Sequence, residues 1–253
     1  MKNILTAFAA LLFLSACERD IPVVDPTALD NRNIYIRCYK YFDGDLLDTG
    51  KVYAVNGDLI KINHLYMTFS GAEFVSYDGE DTTRTESDLT MMDILEDTEI
   101  KLAALPKGNY NGTLHYNIGL DSARAHTAPQ NFEASNPLSK GHTWIGQDLG
   151  HSFVQLEGSV FDAADTVFTT PKSTFTWRVA TQDMVLPRSE NRNFNVSANG
   201  EVFFVVNLDV DKLFVGLSPS AMPEIYSDPA SSADYTLAQI LRDNLMSDFI
   251  FKL

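Results

Sequence analysis

The chain has 253 residues, with 34 acidic against 19 basic side chains and a formal net charge of −15 at pH 7. A surface this acidic repels phosphate backbones and anionic headgroups, which excludes nucleic acids and acidic lipid surfaces as partners. The length suits one domain, and the 45% of hydrophobic residues suffices to fill a substantial core.

The N-terminus has the features of a bacterial lipoprotein leader. Lys2 precedes the apolar run Leu5–Leu14, which is too short to span a bilayer comfortably. The run ends in Leu14–Cys17, a segment that resembles a lipobox. We therefore expect residues 1–16 to be a signal peptide and Cys17 to carry a lipid. The protein would then be anchored outside the cytoplasm to a membrane of the bacterial cell envelope, with the outer membrane as the expected one. An ordinary secretory signal is the alternative.

Residues 17–33 contain two prolines and several acids without periodicity, which predicts a lipidated tether ahead of one domain spanning 34–253. The segment Ile34-Tyr35-Ile36-Arg37-Cys38 alternates, so Ile34, Ile36 and Cys38 share one face of a strand. With Cys17 acylated, Cys38 has no disulfide partner. We read it as a buried core residue rather than a metal ligand.

The domain has the pattern of an antiparallel β protein. Asn56-Gly57 predicts a type I′ hairpin turn between Lys51–Val55 and Leu59–Ile62. Asn199-Gly200 predicts a second hairpin in the same way. The other predicted strands are apolar or alternating runs bounded by turn residues: Leu65–Phe69, Glu73–Tyr77, Ile100–Leu105, Gly112–Ile118, Phe153–Val160, Ser173–Val179, Asn193–Ser197 and Glu201–Leu208.

One segment, near the C-terminus, is clearly helical. Leu237, Leu241 and Leu245 repeat at helix spacing, and Ser232 is placed to cap the helix. The predicted fold class is therefore all-β, a mainly antiparallel sandwich or barrel-like domain, with a short C-terminal helix.

Four of the five histidines lie in one short stretch with one of the two tryptophans, Trp144: these are His115, His126, His142 and His151. Imidazole is the commonest ligand for late first-row metals, so this stretch is the first place to look for a metal site. His64 and His115 border or lie within apolar strands, and we interpret both as strand residues.

The familiar enzyme signatures are missing from the sequence, including the hydrolase nucleophile elbow, the zinc-protease motif and the phosphate-binding glycine loop. We therefore expect a binding protein rather than an enzyme. Asp43-Gly44-Asp45 has some acid density but lacks the ligand spacing of a calcium loop, and a plain hairpin turn is the better interpretation.

The histidine-rich stretch resembles the MbnP-like copper-binding protein family. The resemblance rests on the order of several short motifs in and around it: Leu65–Ser70, Leu105–Tyr110, Gly119–His126, Asn136-Pro137-Leu138, Trp144, Gly150–Gly158 and Asp243–Phe249. These motifs span nearly the whole predicted domain.

The resemblance implies a mainly β envelope protein that holds one copper ion with histidines and with kynurenine, an oxidised tryptophan. It also implies a partner di-haem enzyme of the peroxidase type that performs the oxidation. His126 falls at the family's Asn-His position, and Trp144 falls at the first tryptophan of its Trp-x-Trp, whose second position is Gly146.

His142 is expected to complete the metal site, because alternate residues of a strand face one side and His142 precedes Trp144 by two. His151 is a reserve ligand. The leading function is copper binding for acquisition, storage or delivery. The alternative is a metal-free module that binds a protein or glycan partner through loops on a rigid β scaffold.

Overall fold

Strands make up most of the regular structure of the protein, seen in a computed structural model that describes residues 32–77, 82–84, 89–105, 107–197, 200–247 and 250–251. The predicted signal peptide and Cys17 lie outside these residues. The first strand begins at Arg32, within the last two residues of the predicted tether.

The described strands follow one another along the chain as β1 Arg32–Phe42, β2 Asp45–Leu46, β3 Tyr53–Val55, β4 Asp58–Ser76, β5 Thr82–Arg84, β6 Leu89–Asp93, β7 Glu99–Leu105, β8 Gly108–Ile118, β9 Trp144–Gly146, β10 Gly150–His151, β11 Val154–Phe161, β12 Ser173–Val179, β13 Leu186–Val196, β14 Val202–Asp209, β15 Glu224–Ile225 and β16 Ile250–Phe251. The described residues also form two α-helices, α1 Ser122–Ala125 and α2 Ser232–Ser247.

Two sheets and a short ribbon contain all of these strands. The smaller sheet has the order β16-β14-β1-β2, with β7 also pairing with β1. The larger sheet has the order β13-β8-β4-β11-β12-β15, and β3, β5 and β6 add to β4. Strands β9 and β10 form the ribbon. The pairs β1–β14 and β12–β15 are parallel and the remaining pairs antiparallel, and neither described sheet closes into a barrel. The predicted β class is confirmed.

The hydrophobic core draws on the inner faces of both sheets and on one face of α2. Ile36 and Cys38 enter it from β1, Leu65 from β4 and Trp177 from β12, each at most 4% exposed. Apolar residues at alternate positions reach the core because successive strand side chains point to opposite faces. The prediction that Cys38 is a core residue is confirmed.

The C-terminal helix is confirmed, with its start shifted by one residue. The Ser231 hydroxyl donates a hydrogen bond to the Asp234 carboxylate, 2.6 Å away, and the Ser231 carbonyl accepts from the Tyr235 N–H. Ser231 therefore caps α2, whereas the sequence pointed to Ser232. Leu241 and Leu245 lie on the buried side of the helix. Among the described helices, none combines the length and apolar character needed to cross a bilayer.

Two turn predictions are confirmed by backbone geometry. Asn56 and Gly57 have φ values of 49° and 90° and join Val55 to Asp58 in a tight hairpin, as a type I′ turn requires. Asp43 and Gly44 have φ values of 52° and 81° and join β1 to β2. The acidic turn is thus a hairpin, as the sequence favoured over a calcium loop.

The predicted pairing of the two strands that flank Asn199-Gly200 was wrong, and Asn199 itself lies outside the described residues. In the described residues β13 pairs with β8 in the larger sheet, while β14 pairs with β1 and β16 in the smaller one. The two consecutive strands therefore belong to different sheets. Three separately predicted strands, from Leu59 to Tyr77, are instead one 19-residue strand, β4, which accommodates Gly71 at φ 60° through a shift in its register with β8.

Candidate functional site

The histidine-rich stretch lies in a long excursion of the chain between β8 and β11. Asp121 caps helix α1 by accepting the Arg124 N–H, and Asn136 caps the 3-10 turn Pro137–Lys140 by accepting the Leu138 N–H. The Leu138 side chain is completely buried and anchors the excursion in the core. The Asn-Pro-Leu motif is thus a cap, a helix-starting proline and an anchor.

His151 links two segments of this excursion by hydrogen bonds from its ring. Its ring is fully buried, and its Nε2 donates a hydrogen bond to the Thr127 carbonyl at 3.1 Å. Because a carbonyl only accepts, Nε2 must carry a proton. In the neutral ring Nδ1 then carries none and accepts from the Thr143 hydroxyl at 3.0 Å. Burial lowers the pKa of His151, which favours this neutral form. Both ring nitrogens are therefore engaged in holding two loop segments together.

Trp144 packs against the His151 ring. Its ring meets the His151 ring edge-on, with 4.8 Å between centroids and 61° between planes, and Phe132 makes a second edge contact with the same imidazole at 5.8 Å. Trp144 itself is half-buried. The indole is therefore held in place while part of it stays open to solvent.

A close backbone approach brings His126 to the same neighbourhood. Gly150 has φ 73°, and a Cβ there would overlap the Ala125 carbonyl, so only glycine lets β10 lie against the end of α1. His126 follows as the C-cap of α1 and is exposed. Its Nδ1 donates to the Ser122 carbonyl at 3.0 Å, so Nε2 is the ring nitrogen left to bind a metal.

His142 is placed differently from the sequence expectation. Gly141, at φ 72°, starts a turn closed by a hydrogen bond from the Trp144 N–H to the Gly141 carbonyl at 3.1 Å. His142 therefore lies in a turn, and the argument that it shares a strand face with Trp144 was wrong. Its exposed ring stacks on Tyr66 instead, with 5.9 Å between centroids and 9° between planes.

Sequence reasoning missed a polar row beneath His142, on the outer face of the larger sheet. His64 also stacks on the Tyr66 ring, with 5.3 Å between the ring centroids. The His64 Nδ1 donates to the Asp93 carboxylate at 2.6 Å. Burial raises the pKa of Tyr66, with further contributions from the charges of Asp93 and Glu157. The available signal was the polar pair at positions 64 and 66 within an apolar strand.

In the part of the chain that the structure describes, no three His, Cys, Asp or Glu side chains lie close enough together to hold one metal ion. The assignment of His126, His142 and His151 as ligands stays a prediction. Trp144 and His151 pack on each other, the backbone at His126 lies close to Gly150, and the His142 ring stacks on Tyr66.

Comparison with known proteins agrees with the β fold and with the family. The sequence model of the MbnP family matches residues 31–228. The structure of MbnP from Methylosinus trichosporium is similar, with a TM-score of 0.52 over 79% of this chain and 82% of that chain, at 15% identity. No curated protein sequence matches this chain. The structural likeness at this identity shows a shared fold, and the sequence match covers the greater part of the chain, from β1 past β15. The protein belongs to the MbnP family.

Proposed function

We propose that the protein binds copper at the cell envelope, for acquisition, storage or delivery, through the loop that carries His126 and Trp144. One observation carries the proposal. The buried His151 ties Thr127, the neighbour of His126, to Thr143, the neighbour of Trp144, and also packs on the Trp144 ring. Such a fixed arrangement is what a binding site on a rigid scaffold needs.

The donor set suits copper, because imidazole is a favoured copper ligand. His126 and His142 would hold the ion, since both side chains are exposed and the His126 Nδ1 bond to Ser122 leaves Nε2 for the metal. His151 is excluded from the proposed ligand set because both of its nitrogens hold hydrogen bonds. A site with two histidines and a tryptophan-derived donor is compatible with the lack of a three-residue His, Cys, Asp or Glu cluster among the described residues.

Trp144 is the residue proposed to undergo oxidation to kynurenine by a di-haem partner of the peroxidase type. Its half-buried ring is supported on one edge by His151 and is open to an external oxidant. Mass analysis of the peptide that contains Trp144, from protein purified out of its native envelope, tests this step. An unmodified tryptophan in that material contradicts the oxidation without touching copper binding by the histidines.

The envelope location is proposed from the lipobox-like segment that ends at Cys17. Lipidation there would hold the domain at a membrane surface without a spanning helix. Fractionation of cells that express the full chain tests the anchor. We expect the wild-type chain in the membrane fraction and the Cys17→Ala chain outside it, and equal distribution of the two would contradict the anchor.

Copper stoichiometry of the full chain tests the central proposal. We expect about one copper ion per wild-type chain after loading, and a loss of binding in His126→Ala and in His142→Ala. His115→Ala is the matched control, since His115 lies on β8 with its Nδ1 against Ser189 at 2.8 Å. Copper well below one ion per chain, unchanged by His126→Ala, would overturn the proposal.

The second function, a metal-free module for a protein or glycan partner, is supported by the half-buried Trp144 ring, which packs on His151 and keeps part of its surface open to solvent. Under this function the exposed side of Trp144 would contact the partner directly. Wild-type protein that binds envelope proteins or glycans equally well after chelation, and loses that binding in Trp144→Ala, would support it over copper binding.

A further inference from the structure

The outer face of the larger sheet carries a set of polar side chains in direct register. His64 lies opposite Glu157 across the β4–β11 pair, and Tyr66 lies opposite Gln155 on β11 and opposite Asp93 on β6. Directly paired residues of antiparallel strands point to the same face. These five side chains therefore share one face, and the intervening Leu65 points into the core.

His64 is held in the orientation that metal-binding histidines adopt. The Asp93 carboxylate accepts the Nδ1–H of His64 through Oδ2, and its Oδ1 accepts the backbone N–H groups of Leu65 and Leu95 at 3.2 and 3.1 Å. Asp93 is only 8% exposed, so this carboxylate is fixed in place. With Nδ1 engaged by Asp93, Nε2 is the ring nitrogen left to bind a metal, on a side chain that is 39% exposed.

Glu157 is fixed beside it from the neighbouring strand. One carboxylate oxygen accepts the Gln155 amide at 2.5 Å, and Gln155 is itself held by donors from Ser152 and Arg178. The second oxygen of Glu157 takes no hydrogen bond from any residue that the structure describes. Directly opposed strand residues have Cβ atoms about 4.5–5.5 Å apart, and metal–ligand bonds to N and O are about 2 Å. One ion can therefore reach both side chains.

We propose that His64 and Glu157 form a second metal site, which binds a divalent transition-metal ion such as Zn²⁺ through the His64 Nε2 and the free Glu157 oxygen. Asp93 acts as a positioning residue, because it sets the His64 tautomer without touching the metal. Water would fill the remaining positions, because Zn²⁺ prefers four ligands and the chain supplies two. The site uses neither His126 nor Trp144 and does not depend on the proposed copper site.

The proposal is tested by calorimetric titration of Zn²⁺ alone into the chelator-treated full chain. We expect wild type to bind, and both His64→Ala and Glu157→Gln to weaken the Kd at least about tenfold. His115→Ala serves as the control that retains the affinity, because His115 belongs to neither proposed site. His142→Ala is not a suitable control, because the His142 ring also stacks on Tyr66.

Asp93→Asn tests the positioning role separately. The asparagine oxygen can still accept from Leu65 and Leu95, but its amide now donates to the His64 Nδ1 and moves the ring proton to Nε2. We expect a loss of Zn²⁺ affinity of about 10–100-fold and a reversed tautomer in the imidazole nitrogen chemical shifts. A structural role alone would leave the tautomer unchanged.

Absence of Zn²⁺ binding by folded wild type, or equal binding by His64→Ala, would overturn the second site. If His64→Ala does not fold, as judged by circular dichroism, the Zn²⁺ affinity of Glu157→Gln tests the site on its own. That substitution keeps the side-chain shape, and Glu157 is half-buried. Loss of zinc in His64→Ala with copper binding retained would keep the two proposals distinct.

Discussion

Trp144 and His151 are opposite partners in the β9–β10 ribbon, and their rings meet edge-on at 4.8 Å. The His151 imidazole is fully buried and makes hydrogen bonds to the Thr127 carbonyl and the Thr143 hydroxyl, which lie in two separate segments of the excursion. The environment of the tryptophan is therefore coupled to the hydrogen bonds of the excursion. Any change that frees His151 should alter both stability and the position of Trp144.

His151→Ala should destabilise the protein by about 2–4 kcal/mol. The substitution removes two hydrogen bonds, leaves the Thr127 carbonyl and the Thr143 hydroxyl without partners in a buried place, and opens a cavity beside Trp144. Urea unfolding followed by circular dichroism measures the change. His115→Ala, on an accessible strand position, should cost less than about 1 kcal/mol. Equal losses in the two variants would contradict the role of His151 in linking the two segments.

Asp209→Asn should raise the free energy of unfolding at pH 7.5 by about 1–2 kcal/mol. Burial and the adjacent Asp211 carboxyl raise the pKa of Asp209 to about 6, above the usual 3.8. A raised folded-state pKa gives stability that is complete below pH 3.8 and is lost as the pH rises through 6. The asparagine has no charge to desolvate and can donate to Asp211.

The difference between wild type and Asp209→Asn should therefore be largest above pH 6.5 and shrink toward pH 4. Unfolding curves at pH 4, 5, 6 and 7.5 measure it. Asp243→Asn, at an exposed ion pair with Arg242, is the control and should change stability by less than about 0.5 kcal/mol at any of these values. A difference that grows toward low pH would reverse the assigned direction of the Asp209 pKa.

Cys38 should be inert toward thiol reagents in the folded protein. It is 3% exposed, and burial raises its pKa to about 12, so the reactive thiolate is scarce and shielded at pH 8. Modification by an aromatic disulfide reagent should be slow in native buffer and complete in denaturant. Rapid labelling of the native chain would show that β1 opens readily and that the thiol is not a stable core group.

Local patterns in the sequence predicted the parts of the fold that local physics determines. Alternation placed Cys38 in the core, and Asn56-Gly57 formed its hairpin because both residues adopt positive φ. Asn199-Gly200 carries the same local signal, yet β13 and β14 pair in different sheets. Strand partners are chosen by contacts far apart in the chain, and a dipeptide does not encode them.

The same distinction between local patterns and long-range contacts applies to the candidate functional site. Motif order pointed to His126 and Trp144, whose chain neighbours Thr127 and Thr143 are both hydrogen-bonded to His151. The His64–Asp93 bond was missed because the two residues are 29 positions apart and meet only through the register of β4 with β6. His142 was assigned a strand geometry because nothing in its sequence neighbours other than Gly141 indicates a turn.

Gly150→Ala should destabilise the protein by about 2–3 kcal/mol and weaken copper binding at the same time. The backbone there has φ 73°, which disfavours any side chain, and the new methyl group would overlap the Ala125 carbonyl. Relief requires β10 to move away from α1, which would pull His151 from the Thr127 carbonyl and displace His126 relative to Trp144. Urea unfolding and copper stoichiometry measure the two effects.

Gly108→Ala is the matched control for this substitution. Its added Cβ would make only ordinary contact with Tyr110, at 3.6 Å or more, and its φ lies outside the left-handed region. Alanine also lowers the conformational entropy of the unfolded chain, so this variant should be as stable as wild type or slightly more stable. It should bind copper as wild type does. If Gly150→Ala lost stability but kept full copper binding, the contact between β10 and α1 would serve the fold alone, and the copper site would have to be held together by other residues.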